Sequence, residues 1–480
     1  MSRWTFSSRC VLTALACALI FSSPALSQHN PPKTPSGNTE TPPAIAEIKP
    51  LPGASVALVV IDAVNRSHTA LADAVRDTTP HLLDLANRSI HFTDWISNAP
   101  WTRPAFTTIL TGLPKERHQM ELNDGPLSPR YTTLAQHFRR AGYDTAAFIG
   151  NPVIQQQWGY ARGFQHFEDT QQHGPFPDDA LLMSRALSWL AARPNHKPFF
   201  LLVFLTAPHA PWESANGTDA YNPPREVEAP PPADELAAMH AAYHDELRKA
   251  DAQLGRLLQH LASRAQDANT IVMVTADHGE MLGDHNCFQH ATHMWEDALR
   301  VPAVLHLPGV PAARGIQDRR PMTHEDVLPL LLDATGLPPN RHSAGFSLSR
   351  PAPAHRVRVS QYDARGILRR TARLGDHKLV YHAPFHRDRY LQFDGTARRN
   401  GLPPSLRLPT PAYALFHLGH DPGETRDLFR AHRGAPEVQR LLRALHRNPP
   451  AQKTRPKAAI PTPQLSPELE EALRQGGYIQ

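Results

Sequence analysis

The chain has 480 residues, of which 41% are apolar and 20% charged, a composition that excludes collagen-like and wholly disordered proteins and leaves room for about three domain units or one large α/β unit with an appendage. Fifty Lys and Arg against 45 Asp and Glu leave a net charge of +5. No long basic run accompanies that thin excess, so no nucleic-acid partner is expected. The 28 histidines invite a search for a site, because imidazole is the commonest metal ligand and proton shuttle near neutral pH.

Residues 1–27 combine a positive start (Arg3, Arg9), an apolar stretch from Cys10 to Phe21 and the small-residue ending Ala25-Leu26-Ser27. This pattern predicts a secretory signal cleaved near Ser27 and hence an exported protein, periplasmic or secreted. The alternative, an uncleaved anchor, would need a longer apolar run. No later run is long enough to span a bilayer. Two of the three cysteines, Cys10 and Cys17, leave with the signal, so Cys287 has no internal partner and reads as a small packed residue. Residues 28–54 hold seven prolines and read as an extended or disordered linker.

The next segment changes character. Val56 to Ile61 is a continuous apolar run ending at Asp62, Phe199 to Leu205 precedes Ala207-Pro208-His209, and Thr270 to Thr275 precedes Asp277-His278. Continuous hydrophobicity marks strands buried on both faces. Between the last two, Leu247, Ala250, Leu254, Leu257, Leu258 and Leu261 repeat at helical spacing within 245–265. The alternation predicts an α/β fold with a large, mostly parallel sheet flanked by helices over 55–345. From about residue 346 to 448, short Arg-rich segments with turns predict a small α+β C-terminal subdomain. A Pro-rich link and a last helix at Ser466–Gln475 fill 449–480.

Ligands of such sheets bind beyond the carboxyl ends of the strands. Asp62, His209, Asp277 and His278 all lie just past such ends. Thr102, with Pro104 two residues later, falls at or just before a helix N-cap, where an anion is favoured. Two carboxylates, an imidazole and a hydroxyl form a donor set for Ca²⁺, Mn²⁺ or Zn²⁺. Such a cation would lower the hydroxyl's pKa and neutralise charge on an attacked oxyanion. His209 and His290 are candidates to bind ester oxygens or protonate a leaving group. His285 and His293 are further candidate ligands, and Arg103, Lys115 and Arg117 read as solvated charges.

These residues carry a resemblance to the sulfatase family, within the alkaline phosphatase superfamily, over about residues 55–480. Ala57 to Asp62 resembles the opening metal-binding strand. Ala99-Pro100-Trp101-Thr102-Arg103-Pro104 through Leu110-Thr111-Gly112 resembles the nucleophile segment, and Ala207-Pro208-His209-Ala210-Pro211 a substrate-contact segment. Thr275-Ala276-Asp277-His278-Gly279-Glu280, with Gly283-Asp284-His285 and Phe288-Gln289-His290, resembles the second metal segment. Leu415-Phe416-His417-Leu418 with Asp421-Pro422-Gly423-Glu424 resembles a C-terminal signature. The resemblance implies one divalent metal, Ca²⁺ by family likeness with Mn²⁺ or Zn²⁺ as alternatives, held by Asp62, Thr102, Asp277 and His278.

The departures are as informative. Sulfatases carry Cys-x-Pro-x-Arg, whose Cys becomes formylglycine; here the segment is Thr102-Arg103-Pro104-Ala105-Phe106, so no formylglycine is expected. Ala63 stands where many members have a second aspartate. Gly150-Asn151-Pro152-Val153 lacks the usual lysine and histidine, and Asn151 is a candidate substrate contact through its amide. Together these imply a hydrolase of sulfate- or phosphate-type esters with Thr102 as nucleophile. The substrate expected is a small anionic ester: a sulfated or phosphorylated glycan, a lipid or an aryl ester. A phosphoryl-headgroup transferase of the same fold and a degenerate, glycan-binding relative are the alternatives.

Overall fold

The structure, a computed structural model, describes residues 45, 47–121, 125–174, 177–193, 197–213, 220–265, 267–291, 293–364, 367–383, 413–447 and 467. The signal segment and nearly all of the expected last helix lie outside the described residues.

The main sheet is built from β1 (Ser55–Ile61), β2 (Ile90–Phe92), β3 (Asp144–Ile149), β4 (His166–Glu168), β5 (Phe199–Leu205), β6 (Thr270–Ala276), β7 (Ala303–His306) and β8 (Ile316–Asp318). Their spatial order is β8-β2-β7-β6-β1-β5-β3-β4. The sheet is mostly parallel; β7 runs against both its neighbours. Every residue of β1, β5 and β6 is buried, which is why these strands read as unbroken apolar runs rather than alternating ones.

Helices cover both faces. On one, α1 (Pro80–Asn87) and α4 (Asp179–Ala192) pack against α5 (Ala233–Ser263); on the other, α3 (Leu134–Arg140) and α6 (Val327–Ala334) pack against α2 (Thr102–Thr111). The helix expected over 245–265 begins twelve residues earlier, at Ala233. Met239, Ala242, Tyr243 and Glu246 extend its buried stripe toward the N-terminus, and the prolines before Ala233 stop it there. No described helix is long and apolar enough to cross a membrane.

The linker reading of 28–54 needs correction at its end. Ile45 is buried, Ile48 and Leu51 pack on the main core, and the Leu51 N–H donates to the Ala334 carbonyl at 2.7 Å. The apolar residues set between the prolines dock that part of the chain on the core; the fully buried Ile45 contributes about 1.5–3 kcal/mol, and the partly buried Ile48 and Leu51 less.

The C-terminal subdomain is an antiparallel sheet of β9 (Arg358–Ala364), β10 (Ile367–Leu374), β11 (His377–His382) and β12 (Tyr413–His417). α7 (Pro436–Arg447) closes its apolar face through Val438, Leu441 and Leu445. The Arg-rich character of this region has a structural use. Arg358 pairs with Asp94 at 2.7 Å, Arg370 with Glu116 at 3.0 Å and Lys378 with Glu424 at 2.7 Å. The first two of these pairs tie the small sheet to the large domain, through the segment after β2 and the short helix Lys115–His118.

Candidate metal and active site

The register of the central strands assembles the site. Ile61 pairs with Leu205 on one side and Ala276 on the other, so Asp62 and Asp277 leave the sheet side by side. The Asp62 N–H donates to the Leu205 carbonyl at 2.9 Å and the Gly150 N–H to Phe204 at 2.9 Å, which brings Asn151 beside Asp62. The His209 N–H donates to the Thr206 carbonyl at 2.9 Å, turning the chain just past β5. Thr102 opens α2, with Trp101 as N-cap, one residue further into the helix than the sequence suggests.

Asp62, Asp277 and His278 are fully buried, and each offers a ligand atom within 4.8 Å of the others. Nδ1 of His278 lies 2.8 Å from the Gly279 carbonyl. A carbonyl only accepts, so Nδ1 carries the hydrogen and Nε2 presents a lone pair. That lone pair faces Oδ1 of Asp62 at 3.5 Å and Oδ2 of Asp277 at 3.4 Å. Both carboxylate oxygens are buried without a hydrogen-bond partner. Three lone-pair donors turned on one point repel one another unless a cation sits between them. The residues therefore fit a divalent ion.

The electrostatics agree. Burial and the neighbouring Asp277 push the Asp62 carboxyl well above its usual range. Burial pushes Asp277 up to about 7 against hydrogen bonds from the His278 and Ala63 N–H groups and the Thr102 hydroxyl. Burial holds His278 down at about 3 and therefore neutral. Thr102 Oγ1 lies 3.2 Å from Nε2 of His278, so the hydroxyl joins the same cluster.

The two flanking histidines stand beside it. The His290 ring is 4.2 Å from the His278 ring and 4.8 Å from the His209 ring. Nδ1 of His209 lies 2.5 Å from the Ala210 carbonyl, and Nδ1 of His290 is 3.0 Å from Oε1 of the fully buried Glu280. Burial keeps both imidazoles below their usual range.

The local backbone serves these contacts. Ala63 adopts a positive φ of 56°, uncommon outside glycine, and its N–H donates to Oδ1 of Asp277 at 3.2 Å. A Cβ on Gly279 would lie 1.9 Å from the Asp297 carbonyl oxygen, so only glycine lets the chain turn after His278.

The Asn151 Nδ2 donates to Oδ2 of Asp62 at 2.6 Å while its Oδ1 accepts from Val153 N–H at 2.9 Å, so the amide holds the Asp62 carboxylate in place. His285 stacks on Trp295 at 3.9 Å and His293 pairs with Glu226 at 3.1 Å; neither joins the cluster. Arg103 and Lys115 are buried rather than solvated: Arg103 lies 4.5 Å over the Trp158 ring, and Lys115 is ion-paired with Glu121. Arg103 points inward from the first turn of α2 and Lys115 from the short helical turn that follows it, whereas Arg117 stays exposed. Phe106 stacks on Phe204 at 5.0 Å in the core.

Two neighbours of the site escaped the sequence reading as functional residues. Glu280 was visible in the Asp-His-Gly-Glu run but carried no role. Arg225 lies in a Pro-rich, aperiodic stretch that gave no signal, yet its Nε donates to the His290 carbonyl at 3.0 Å.

The Sulfatase family model matches residues 55–337. The ulvan-active sulfatase of Formosa agariphila is 26% identical over 54% of this chain, and the match spans 57% of that relative's length. The multifunctional alkaline phosphatase superfamily protein of Trinickia caryophylli is 23% identical over 56% of this chain and 70% of its own. Among solved structures, the phosphonate monoester hydrolase of Agrobacterium radiobacter superposes with a TM-score of 0.65 at 20% identity, over 82% of this chain and 95% of its own. With more than half of its residues under that family model, the chain belongs to the sulfatase family.

Proposed function

We propose that the protein is an exported, metal-dependent hydrolase of small anionic esters, with Thr102 as nucleophile and phosphate-type esters cleaved faster than sulfate-type ones. The observation that carries this is the Thr102 hydroxyl lying 3.2 Å from Nε2 of His278, inside the buried Asp62–Asp277–His278 cluster. Asp62, Asp277, His278 and Thr102 would hold the ion, and the nitrogen donor favours Mn²⁺ or Zn²⁺ over Ca²⁺. A bound divalent ion supplies charge neutralisation and acidifies the hydroxyl.

The chain's own groups do the rest. Thr102 Oγ1 attacks the central phosphorus or sulfur, the bond to the leaving oxygen breaks, and the hydroxyl proton ends on that oxygen. His290, with Glu280 behind its Nδ1, and His209 are the relay for that proton. Water then cleaves the threonine ester. Formylglycine hydrate can expel sulfate by eliminating through its second hydroxyl; a threonine ester has no such route and must await water, as phosphoryl-enzyme intermediates do. Likeness to a phosphonate monoester hydrolase in fold and to a multifunctional relative in sequence supports the phosphoryl side of this reading.

The test is a screen of aryl sulfate, phosphate monoester and phosphate diester substrates with Mn²⁺, Zn²⁺ and Ca²⁺. Metal-dependent turnover with phosphate esters ahead is expected. A preference for aryl sulfate would overturn the substrate half, and absence of turnover on all three classes would overturn the hydrolase.

A further inference from the structure

We propose that His68 and His244, completed by His240, form a second metal site, separate from the Asp62–Asp277–His278 cluster, that takes a nitrogen-preferring divalent ion, Zn²⁺ or Cu²⁺. The proposal goes beyond the ester-hydrolase reading and does not depend on it.

The three histidines come from two elements. His68 ends the short turn Arg66–His68 in the loop after β1. His240 and His244 lie on α5, and their i, i+4 spacing puts them on one face of that helix. Nδ1 of His68 lies 2.9 Å from Nε2 of His244. The His68 ring centre is 5.2 Å from that of His244 and 5.5 Å from that of His240. Two imidazoles on one tetrahedral ion, each bonded at about 2.0–2.1 Å, hold their nitrogens about 3.3 Å apart. The first pair therefore needs only a slight opening to admit an ion.

His240 is prepared as the third donor. Its Nε2 is 2.6 Å from the Leu282 carbonyl. A carbonyl only accepts, so Nε2 carries the hydrogen and Nδ1 presents a lone pair. The outer partner that orients a ligating imidazole is thus already in place. A tilt of the ring about that bond brings Nδ1 toward the pair.

The surroundings select the ion. All three residues are partly exposed, so an ion reaches them from solvent. Burial is the main cause that holds His68 down at about 3 and His244 at about 4, with neighbouring histidines and Arg76 adding to it. Both rings are therefore neutral and able to bind metal near pH 7. Arg76 and Arg248 bring positive charge nearby, and Asp77 and Asp245 balance it, paired with Arg248 at 2.6 and 2.7 Å. A site of imidazole nitrogens without net negative charge suits Zn²⁺ or Cu²⁺ and not Ca²⁺ or Mg²⁺. On binding, the hydrogen between His68 and His244 moves to the outer nitrogen of the ring that carried it, so no net proton is released.

The bound ion would fasten the loop after β1 to α5. Tyr243 already ties the two, its hydroxyl accepting the Asn65 N–H and donating to the Ala63 carbonyl, each at 2.9 Å. The ion adds a second tie at the next residue of the helix.

The experiment titrates Zn²⁺ by calorimetry into the metal-free, full-length protein and its Asp277→Ala, His68→Gln, His244→Gln and His240→Gln variants, each first melted without metal. Asp277→Ala should keep the second site. With metal-free melting temperatures unchanged, His68→Gln and His244→Gln should each weaken it by about 100-fold or more, and His240→Gln by about ten-fold. The same Zn²⁺ count and affinity in wild type and His244→Gln would mean that the 2.9 Å contact is a hydrogen bond only, and would overturn the proposal. A second measurement needs no variant. Zn²⁺ should protect His68 and His244 of wild type from diethyl pyrocarbonate, read by peptide mass spectrometry, and equal modification with and without Zn²⁺ would overturn the site even if the variants melt early. Neither readout uses turnover, so failure of the hydrolase reading leaves the result standing.

Discussion

Asn151 is clamped at both ends of its amide: Nδ2 donates to Oδ2 of Asp62 at 2.6 Å, and Oδ1 accepts the Val153 N–H at 2.9 Å. The bond occupies one carboxylate oxygen of Asp62 and leaves Oδ1 turned toward His278 Nε2 at 3.5 Å. Support of this kind around a metal ligand is worth about 10- to 100-fold in affinity. Asn151→Ala is expected to weaken Mn²⁺ binding by that factor in a chelator-competition assay. Asn151→Asp should do worse, because a carboxylate would then face Asp62 across the same gap. An unchanged Mn²⁺ affinity in Asn151→Ala would refute the positioning role.

Thr102 separates two chemistries. If its hydroxyl is the nucleophile, Thr102→Ala loses on the order of 10³-fold or more in kcat, as loss of an attacking group does elsewhere. The variant should still hold metal, since Asp62, Asp277 and His278 remain. Thr102→Ser keeps a hydroxyl at the same place and should retain measurable turnover. Near wild-type kcat in Thr102→Ala, read by stopped-time assays on a phosphate ester, would show that water attacks directly.

The carboxyl pair fixes how stability responds to pH. In the metal-free protein burial raises both carboxyls, Asp277 to about 7, and the neighbouring Asp277 raises Asp62 further. An unfolded chain releases such protons near pH 4. Between about pH 4 and 7 the folded state therefore binds more protons than the unfolded one, and unfolding free energy falls as pH rises through that window. Each unit of separation is worth about 1.4 kcal/mol, so the total is roughly a few kcal/mol. The metal reverses the sign because it binds the deprotonated forms. The pair's share is read as a difference, because buried neutral histidines such as His209, His278 and His290 act with the opposite sign. In calorimetric melting of the metal-free proteins, wild type should lose stability relative to Asp277→Asn from roughly pH 4 to roughly pH 7. A difference between the two that does not change with pH would contradict the buried pair.

The sequence disclosed what is local or doubly buried. Val56–Ile61, Phe199–Leu205 and Thr270–Thr275 announced their strands because a sheet covered on both faces tolerates no polar alternation. The acidic and imidazole side chains just past those ends followed from the general placement of ligands in such sheets. Short strands such as Ile90–Phe92 and Ile316–Asp318 carry too few residues for any period to show. Arg103 and Lys115 look like surface charges in a string of letters, and only a ring or carboxylate brought from elsewhere in the chain makes them interior residues. Arg225 reaches the site through backbone hydrogen bonds to residues 286 and 288, contacts that leave no trace in composition or spacing.

The hydrogen bond from the Ala63 N–H to Asp277 spans 214 residues of chain, and the candidate ligand Asp62 is as remote from Asp277 and His278. No local segment can hold the ion, so the ion cannot act as a seed for folding. Helices such as α5 form from near neighbours within microseconds, whereas pairing β1 with β6 requires closing a very long loop and is intrinsically slow. Uptake of metal thus becomes a clock for the pairing of the two central strands. In stopped-flow refolding, Mn²⁺ capture should trail the far-ultraviolet helix signal and coincide with the last tertiary phase; capture within the helix phase would place the ligands together before the sheet exists. If the chain were exported unfolded, it would acquire an ion only after the whole stretch through His278 had crossed, and the site would then sample the metals of the destination compartment.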